Sequence, residues 1–335
     1  MKNLLKYFSL ALIALLPGCS GDKVNEAKIN KELSELKQLS EKINNDFSII
    51  GNKVKEIAIY TETLYENSGK YVPKDKNIYA ISSEGVMYKT RDDGNSAVFV
   101  SGVIPVNETI KNIVYFTEPL DSVLKAIVNS NSSVVQSYYN DKHSYNRIYP
   151  FMDVLKQYEP KMNIPEYNFY YLADKNHNPE KKNVWVDEPY VDPAGRGWMV
   201  SAIAPVYYKD SLQGVVGLDV TVRTITDKYF SELNKETFIV DGKGTIVAAD
   251  EYIIKTLELP ELKDHKYFET IKADTYRQED FNLLTHKNKN IRTAFDDLIK
   301  NKKSFSYLEF DSKKYALFST GLSQLNWFLI KIEKL

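Results

Sequence analysis

Cysteine is almost missing from this chain, with one residue, Cys19, among 335. No disulfide can form within a single copy. Histidine is scarce as well. His143, His177, His265 and His286 are widely separated, and no two stand at metal-ligand spacing, so no metal centre is expected. There is no excess of basic charge either. Lys and Arg total 44 against 45 Asp and Glu, a formal net charge of -1, which excludes the basic field that a nucleic-acid partner requires. After the first 20 residues no apolar run reaches the 18 or so residues of a membrane span. A Gly-x-Ser-x-Gly nucleophile elbow is absent. Gly242-Lys243 does not open a phosphate loop, because Thr237 stands where its first Gly is needed and Gly244 where Ser or Thr is needed. The carboxylates are scattered among an equal number of bases, as on a solvated surface. Neither a cofactor nor an enzymatic activity is expected.

What is present begins at the N-terminus. Lys2 and Lys6 form a basic leader, and Phe8 to Leu16 form an apolar run too short to span a bilayer. Leu16-Pro17-Gly18-Cys19-Ser20 follows. This segment resembles the lipobox of bacterial lipoproteins, in which the cysteine is diacylated and becomes the mature N-terminus. The resemblance implies a signal peptide over 1–18, lipidation at Cys19 and an extracytoplasmic protein on the inner or outer membrane. An ordinary signal peptide with an incidental cysteine is the alternative.

Residues 19–30 read as a polar tether. Over 31–67 the pattern is helical, with Leu36, Ile43, Ile50 and Ile57 recurring every seven residues, and Leu33, Leu39, Phe47 and Val54 beside them. Such a helix extends about 50 Å. It is a spine beside more than one module, a coiled-coil seam of a homodimer, or both. Strands follow at Ile78 to Ser82, Gly85 to Lys89 and Ala97 to Val103, then a helix at Thr117 to Val128 and a strand at Val134 to Tyr139. Met152 to Glu188 reads as irregular. Trp198 to Tyr207 and Gln213 to Val222 are strong strands joined by a turn at Lys209-Asp210-Ser211. A short helix from Arg223 to Asn234 leads into Thr237 to Val240, an Asp-Gly turn and Thr245 to Ala249, a hairpin pattern. A charged helical region spans Leu257 to Lys300, and closing strands lie at Lys303 to Phe310, Lys313 to Ser319 and Trp327 to Ile332. The expected fold class is α+β: two modules, 68–230 and 231–335, each an antiparallel sheet flanked by helices.

The run from Trp185 to Ser201, with Ile203 to Tyr207 and Gly214 to Val220, resembles the core of double Cache domains. These PAS-like domains are the extracytoplasmic ligand sensors of bacterial chemoreceptors, histidine kinases and diguanylate cyclases. The resemblance implies a membrane-distal module that binds a small molecule, followed by a membrane-proximal one.

In amino-acid-binding members of that family an Arg-x-Trp-Tyr element, a later Tyr after Pro and an Asp in the last strand line the distal pocket. The matching positions are Asn168, Tyr170 and Tyr171, then Tyr190, then Asp219. Asp219 suits a ligand ammonium, and the tyrosines offer ring faces or hydroxyls. Asn168 replaces the Arg that would grip a carboxylate, which favours an amine-bearing ligand unless Lys161, Arg147 or Lys181 substitutes. Neighbours on a strand point to opposite faces, so one of Tyr170 and Tyr171 is expected in the core. Trp185 and Trp198 read as packing residues, and Asp192, before Pro193-Ala194-Gly195, as a turn residue.

The expected protein is thus a membrane-anchored sensor lipoprotein. With no second membrane span and no output domain before Leu335, it would present ligand to, or modulate, a separate transmembrane receptor. A structural or adhesion lipoprotein that keeps the fold without binding is the rival reading.

Overall fold

The computed structural model describes residues 24–230, 234–260 and 278–335. The expected signal peptide, lipidated Cys19, most of the segment joining it to residue 24, and His265 lie outside the described residues.

Helix α1 runs from Glu26 to Glu66. It begins five residues before the expected 31, so 26–30 are helix and not tether. The cause is local: the Asn25 side chain accepts the Lys28 amide at 2.8 Å and Glu26 sits in the first turn, a favourable cap and charge. Lys28 also pairs with Glu333, and Lys331 with Glu32, which ties the first turns to the end of the chain. The seven-residue stripe is buried within the molecule. Leu36, Ile43, Phe47, Ile50, Val54 and Ile57 pack with side chains of both sheets in one continuous core, each worth about 1.5–3 kcal/mol. This corrects the coiled-coil expectation, because the stripe is not open as a seam for a second copy. The side chains of Asn183 and Trp185 come close to α1 at Gly51. A Cβ there would lie 3.1 Å from the Asn183 amide nitrogen.

The first sheet has eight antiparallel strands in the order β1-β2-β3-β5-β4-β8-β7-β6. They are β1 Tyr79–Ile81, β2 Met87–Lys89, β3 Ala97–Val100, β4 Gln136–Asp141, β5 Tyr145–Tyr149, β6 Val184–Val191, β7 Trp198–Tyr208 and β8 Ser211–Thr221. Strands β7 and β8 are joined at Lys209-Asp210, both with positive φ (49° and 60°), as a tight hairpin demands. Two helices, α2 Glu108–Phe116 and α3 Leu120–Ser130, share the α1 face of this sheet. One helix was expected there; Pro119 separates two. The opposite face is covered by the segment 150–173, with the short turns α4 Val154–Gln157 and α5 Asn168–Tyr171. Strand β5 falls where no element was expected, and most of β6 falls in the stretch expected to be irregular.

Helix α6, Val222–Tyr229, leads to the second sheet, ordered β10-β9-β13-β12-β11. Its strands are β9 Thr237–Asp241, β10 Ile246–Ala248, β11 Phe305–Phe310, β12 Lys313–Leu322 and β13 Trp327–Lys334. Helices α7, Glu251–Thr256, and α8, Lys289–Ile299, pack on it through Ile253, Ile291, Phe295 and Leu298. Of the expected helical region 257–300, the described residues form an α-helix only over α8.

Candidate functional site

A row of side chains crosses three neighbouring strands of the first sheet. Gln136 on β4 is the register partner of Asp219 on β8, and Asp219 is the partner of Ser201 on β7. All three are buried. The Gln136 amide donates to Asp219 Oδ2, and Ser201 Oγ donates to Asp219 Oδ1 at 2.6 Å. Tyr190, on edge strand β6, extends the chain, its hydroxyl 2.6 Å from Ser201 Oγ.

This row forms one wall of a small cavity between the sheet and the covering segment. Gln136, Tyr138, Asn140, Asn146, Tyr190 and Asp219 line it from the sheet, Tyr158 and Phe169 from the covering segment, and Asp192 from the turn after β6. Its free volume is about 20 Å³, room for about one water. Gln136 Oε1 and Tyr138 Oη line it and are buried without a hydrogen-bond partner. Such atoms are costly to leave unpaired. The Tyr138 ring reaches this position because its register partner is Gly217, where no side chain blocks it.

Burial pushes the Asp219 carboxyl up to about 8, and the nearby Asp192 carboxyl pushes in the same direction; Ser201, Gln136 and Arg196 oppose. Asp192 is raised as well, by burial first, against its hydrogen bonds from the Ala194 and Arg196 amides at 2.8 and 3.1 Å. Desolvation is the dominant cause for both, with like charge adding to it at Asp219. No Lys or Arg lines the cavity. Arg196 is near enough to act on both carboxyls, and its Nε has no hydrogen-bond partner. The arrangement offers acceptors and a carboxylate pair to a ligand that brings positive charge and N–H donors.

The structure brings two of the five expected ligand residues, Tyr190 and Asp219, onto this cavity, linked through Ser201. Asn168, Tyr170 and Tyr171 do not line it. They lie on the helical turn α5, where the strand alternation expected of the two tyrosines does not apply. Asn168 Oδ1 accepts the Phe169 amide at 2.8 Å. Tyr170 is buried, and the Tyr171 ring packs on His177 at 5.1 Å. Phe169, between them, is the residue that faces the site. Arg147 is spent elsewhere. Fully buried on the helix face, it donates to Asp121, the Tyr145 hydroxyl and the Val114 carbonyl at 2.6–2.7 Å. Lys161 and Lys181 do not reach the cavity. Asp192 holds its expected turn and also lines the site. Gln136, Tyr138 and Asn140 were missed, although their i, i+2, i+4 spacing on a strand places them on one face. Among the described residues no group of three or more His, Cys, Asp or Glu side chains is placed to hold a metal, and no helix is long and apolar enough to cross a membrane.

No family model matches this sequence, and no curated protein matches it. Solved structures do match in three dimensions. The extracellular domain of a histidine kinase, mmHK1S-Z3, superposes with a TM-score of 0.53 at 13% identity, covering 92% of this chain and 95% of that one. The ligand-binding domain of the Pseudomonas aeruginosa PAO1 amino-acid chemoreceptor PctC, in complex with GABA, superposes at 0.50 with 10% identity, covering 92% and 100%. At these identities the likeness is one of architecture. The chain has the double Cache fold, the α+β architecture of extracellular sensor domains, from its long first helix through both sheets.

Proposed function

We propose that this protein is an extracytoplasmic sensor whose ligand is a small amine-bearing molecule held in the first sheet's cavity. The observation that carries the reading is the Asp219–Asp192 carboxyl pair, buried beside an unpartnered Gln136 Oε1 in a site that no Lys or Arg lines. An ammonium group would satisfy both needs at once, and the rings of Tyr190, Tyr138 and Phe169 suit its alkyl or aromatic remainder. A space of about 20 Å³ cannot hold such a ligand, so the covering segment 150–173 must move outward to admit it and close on it.

The finer reading is a lipoprotein. Acylated Cys19 anchors the chain, and a separate transmembrane signalling protein receives its output. The geometry that supports this is at the start of α1. The Val24 amide donates to the Tyr307 hydroxyl, and Lys28 and Glu32 pair with β13. Five residues reach at most about 17 Å, so an anchor at Cys19 would hold the second sheet beside the bilayer and the cavity away from it. The small cavity also favours a second reading, a structural or adhesion lipoprotein that has lost binding.

Thermal denaturation of the purified protein against amines, amino acids, purines and small carboxylates separates the two. A ligand at 100 times its Kd adds about 2.7 kcal/mol of stability. Amines are expected to raise the midpoint in the native protein and not in Asp219→Asn. No shift with any compound supports the structural reading.

A further inference from the structure

Strand β6 belongs to the first sheet, yet two of its residues, Asp187 and Glu188, reach the second. Val186 pairs with Ser201 and Tyr190 with Met199. Asp187, Glu188 and Pro189 therefore stand opposite a single β7 residue, Val200, in a pronounced bulge. The Trp327 indole N–H donates to the Asp187 carbonyl at 2.8 Å, and the Asn326 amide donates to the Asp187 carboxylate at 3.4 Å. Lys243 Nζ donates to both Glu188 oxygens at 2.8–2.9 Å. These partners sit in the β9–β10 and β12–β13 turns, which are packed tightly on each other. A Cβ at Gly242 would fall 2.1 Å from the Asn326 amide nitrogen. The residue that closes the bulge is Tyr190, whose hydroxyl belongs to the chain ending on Asp219.

We infer that the β6 bulge transmits the state of the cavity to the second sheet, with Tyr190 as the input and the Asp187–Trp327 hydrogen bond as the output. The inference rests on the ligand-binding reading above and goes beyond it by naming the element that moves. Helices α1 and α6 also pack on both sheets, but no residue of either lines the cavity, and α1 lies on the far face of the first sheet. Among the described residues, β6 is the element that both lines the cavity, through Tyr190, and hydrogen-bonds to the second sheet. Trp327 is almost fully buried, with its ring 5.7 Å from Phe47, and Phe47 is 4.8 Å from Trp185 just before the bulge. A shift of the bulge therefore cannot be absorbed at Trp327 without repacking, as expected of a close-packed interior. The Glu188–Lys243 pair is exposed at both ends and contributes little energy, which makes it a safe second place to cut the link.

Hydrogen–deuterium exchange of the whole protein tests this without a ligand. Asp219→Asn perturbs the cavity; exchange is expected to change by about threefold or more over 186–201 and also over 242–245 and 326–329. In the Trp327→Phe background, or in Lys243→Gln should that variant not fold, the response over 186–201 is expected to persist while the response in the second sheet falls away. A response confined to 186–201, no response there at all, or a remote response that survives both cuts would each overturn the inference. Failure of the ligand screen is read separately. No midpoint shift with an intact exchange response removes the binding reading and leaves the link standing.

Discussion

Tyr138 lies across Gly217, its register partner on the neighbouring strand, so closely that a Cβ on the glycine would come within 2.1 Å of the ring. The glycine is what lets the Tyr138 hydroxyl reach the cavity. Gly214 leaves room for the Tyr139 ring on the other face of the sheet, where a Cβ would fall 2.6 Å from the ring. Gly217→Ala must therefore push the Tyr138 ring off the sheet and into a cavity with no room for it. The expected loss is about 1–3 kcal/mol, as for other overpacked cores, read from urea unfolding. Adding Tyr138→Ala should recover part of it, because the clash partner is gone. A double variant less stable than both single ones would contradict this relationship.

Asp219 makes stability pH-dependent in a direction opposite to that of a salt-bridged carboxylate. Its carboxyl titrates at about 8 in the folded chain, because of burial first and then Asp192. When unfolded, it ionises near 4. Between those values the unfolded state has lost a proton that the native state keeps, so its contribution falls as pH rises from about 4 to 8 and levels off above. Asp219→Asn should remove this slope. The variant is expected to gain stability relative to the native protein at pH 8 over pH 5, by on the order of a few kcal/mol. Parallel denaturant titrations at the two pH values check it, and an unchanged difference would show that Asp219 is already ionised.

The same carboxyl links proton and ligand. An ammonium that binds the ionised form must first expel the proton, so the competent fraction of the site grows as pH approaches 8. Amine affinity is expected to rise at least about tenfold from pH 6 to pH 8. Calorimetry in buffers of different ionisation enthalpy should detect release of up to one proton at pH 7. Proton uptake, or affinity flat across this range, would place the ammonium away from Asp219.

The parts of the fold that were legible in the sequence are those with local periodicity. The Leu36–Ile57 stripe, the β7–β8 hairpin and strands β9 to β13 each show their pattern within a few residues. What the stripe packs against was not legible, since a seven-residue repeat suits a sheet as well as a second helix. Strand β5 was hidden because Asn146 and Arg147 break its apolar look, each satisfied by tertiary partners, Asn140 and Asp121. The site divides in the same way. Asp219 stands out as a carboxylate in an apolar strand. Gln136 and Ser201 become neighbours of Asp219 only through strand register, which local composition does not encode. Asp192 shows its turn chemistry in sequence and its second role only in three dimensions.

The last turn of α1 is tied to the far face of the same strand that bears Gln136 and Tyr138. Asp141, buried at the end of β4, accepts hydrogen bonds from Tyr65 at 2.8 Å, Tyr139 at 3.2 Å and the His143 amide at 2.8 Å. Burial, and then the charge of Asp141, hold the Tyr65 hydroxyl well above its ordinary range, so it remains a neutral donor. Tyr65→Phe leaves the ring in its contact with Phe116 but withdraws one donor from a buried carboxylate. The expected loss is about 1–3 kcal/mol, with faster amide exchange over the last turn of α1. Residues alternate along β4, so Tyr139 and Asp141 point away from the cavity that Gln136, Tyr138 and Asn140 line. Amine binding in Tyr65→Phe should therefore keep its native affinity once the loss of stability is allowed for. Affinity that falls with stability would mean that the helix face and the cavity face of β4 are coupled through the strand itself.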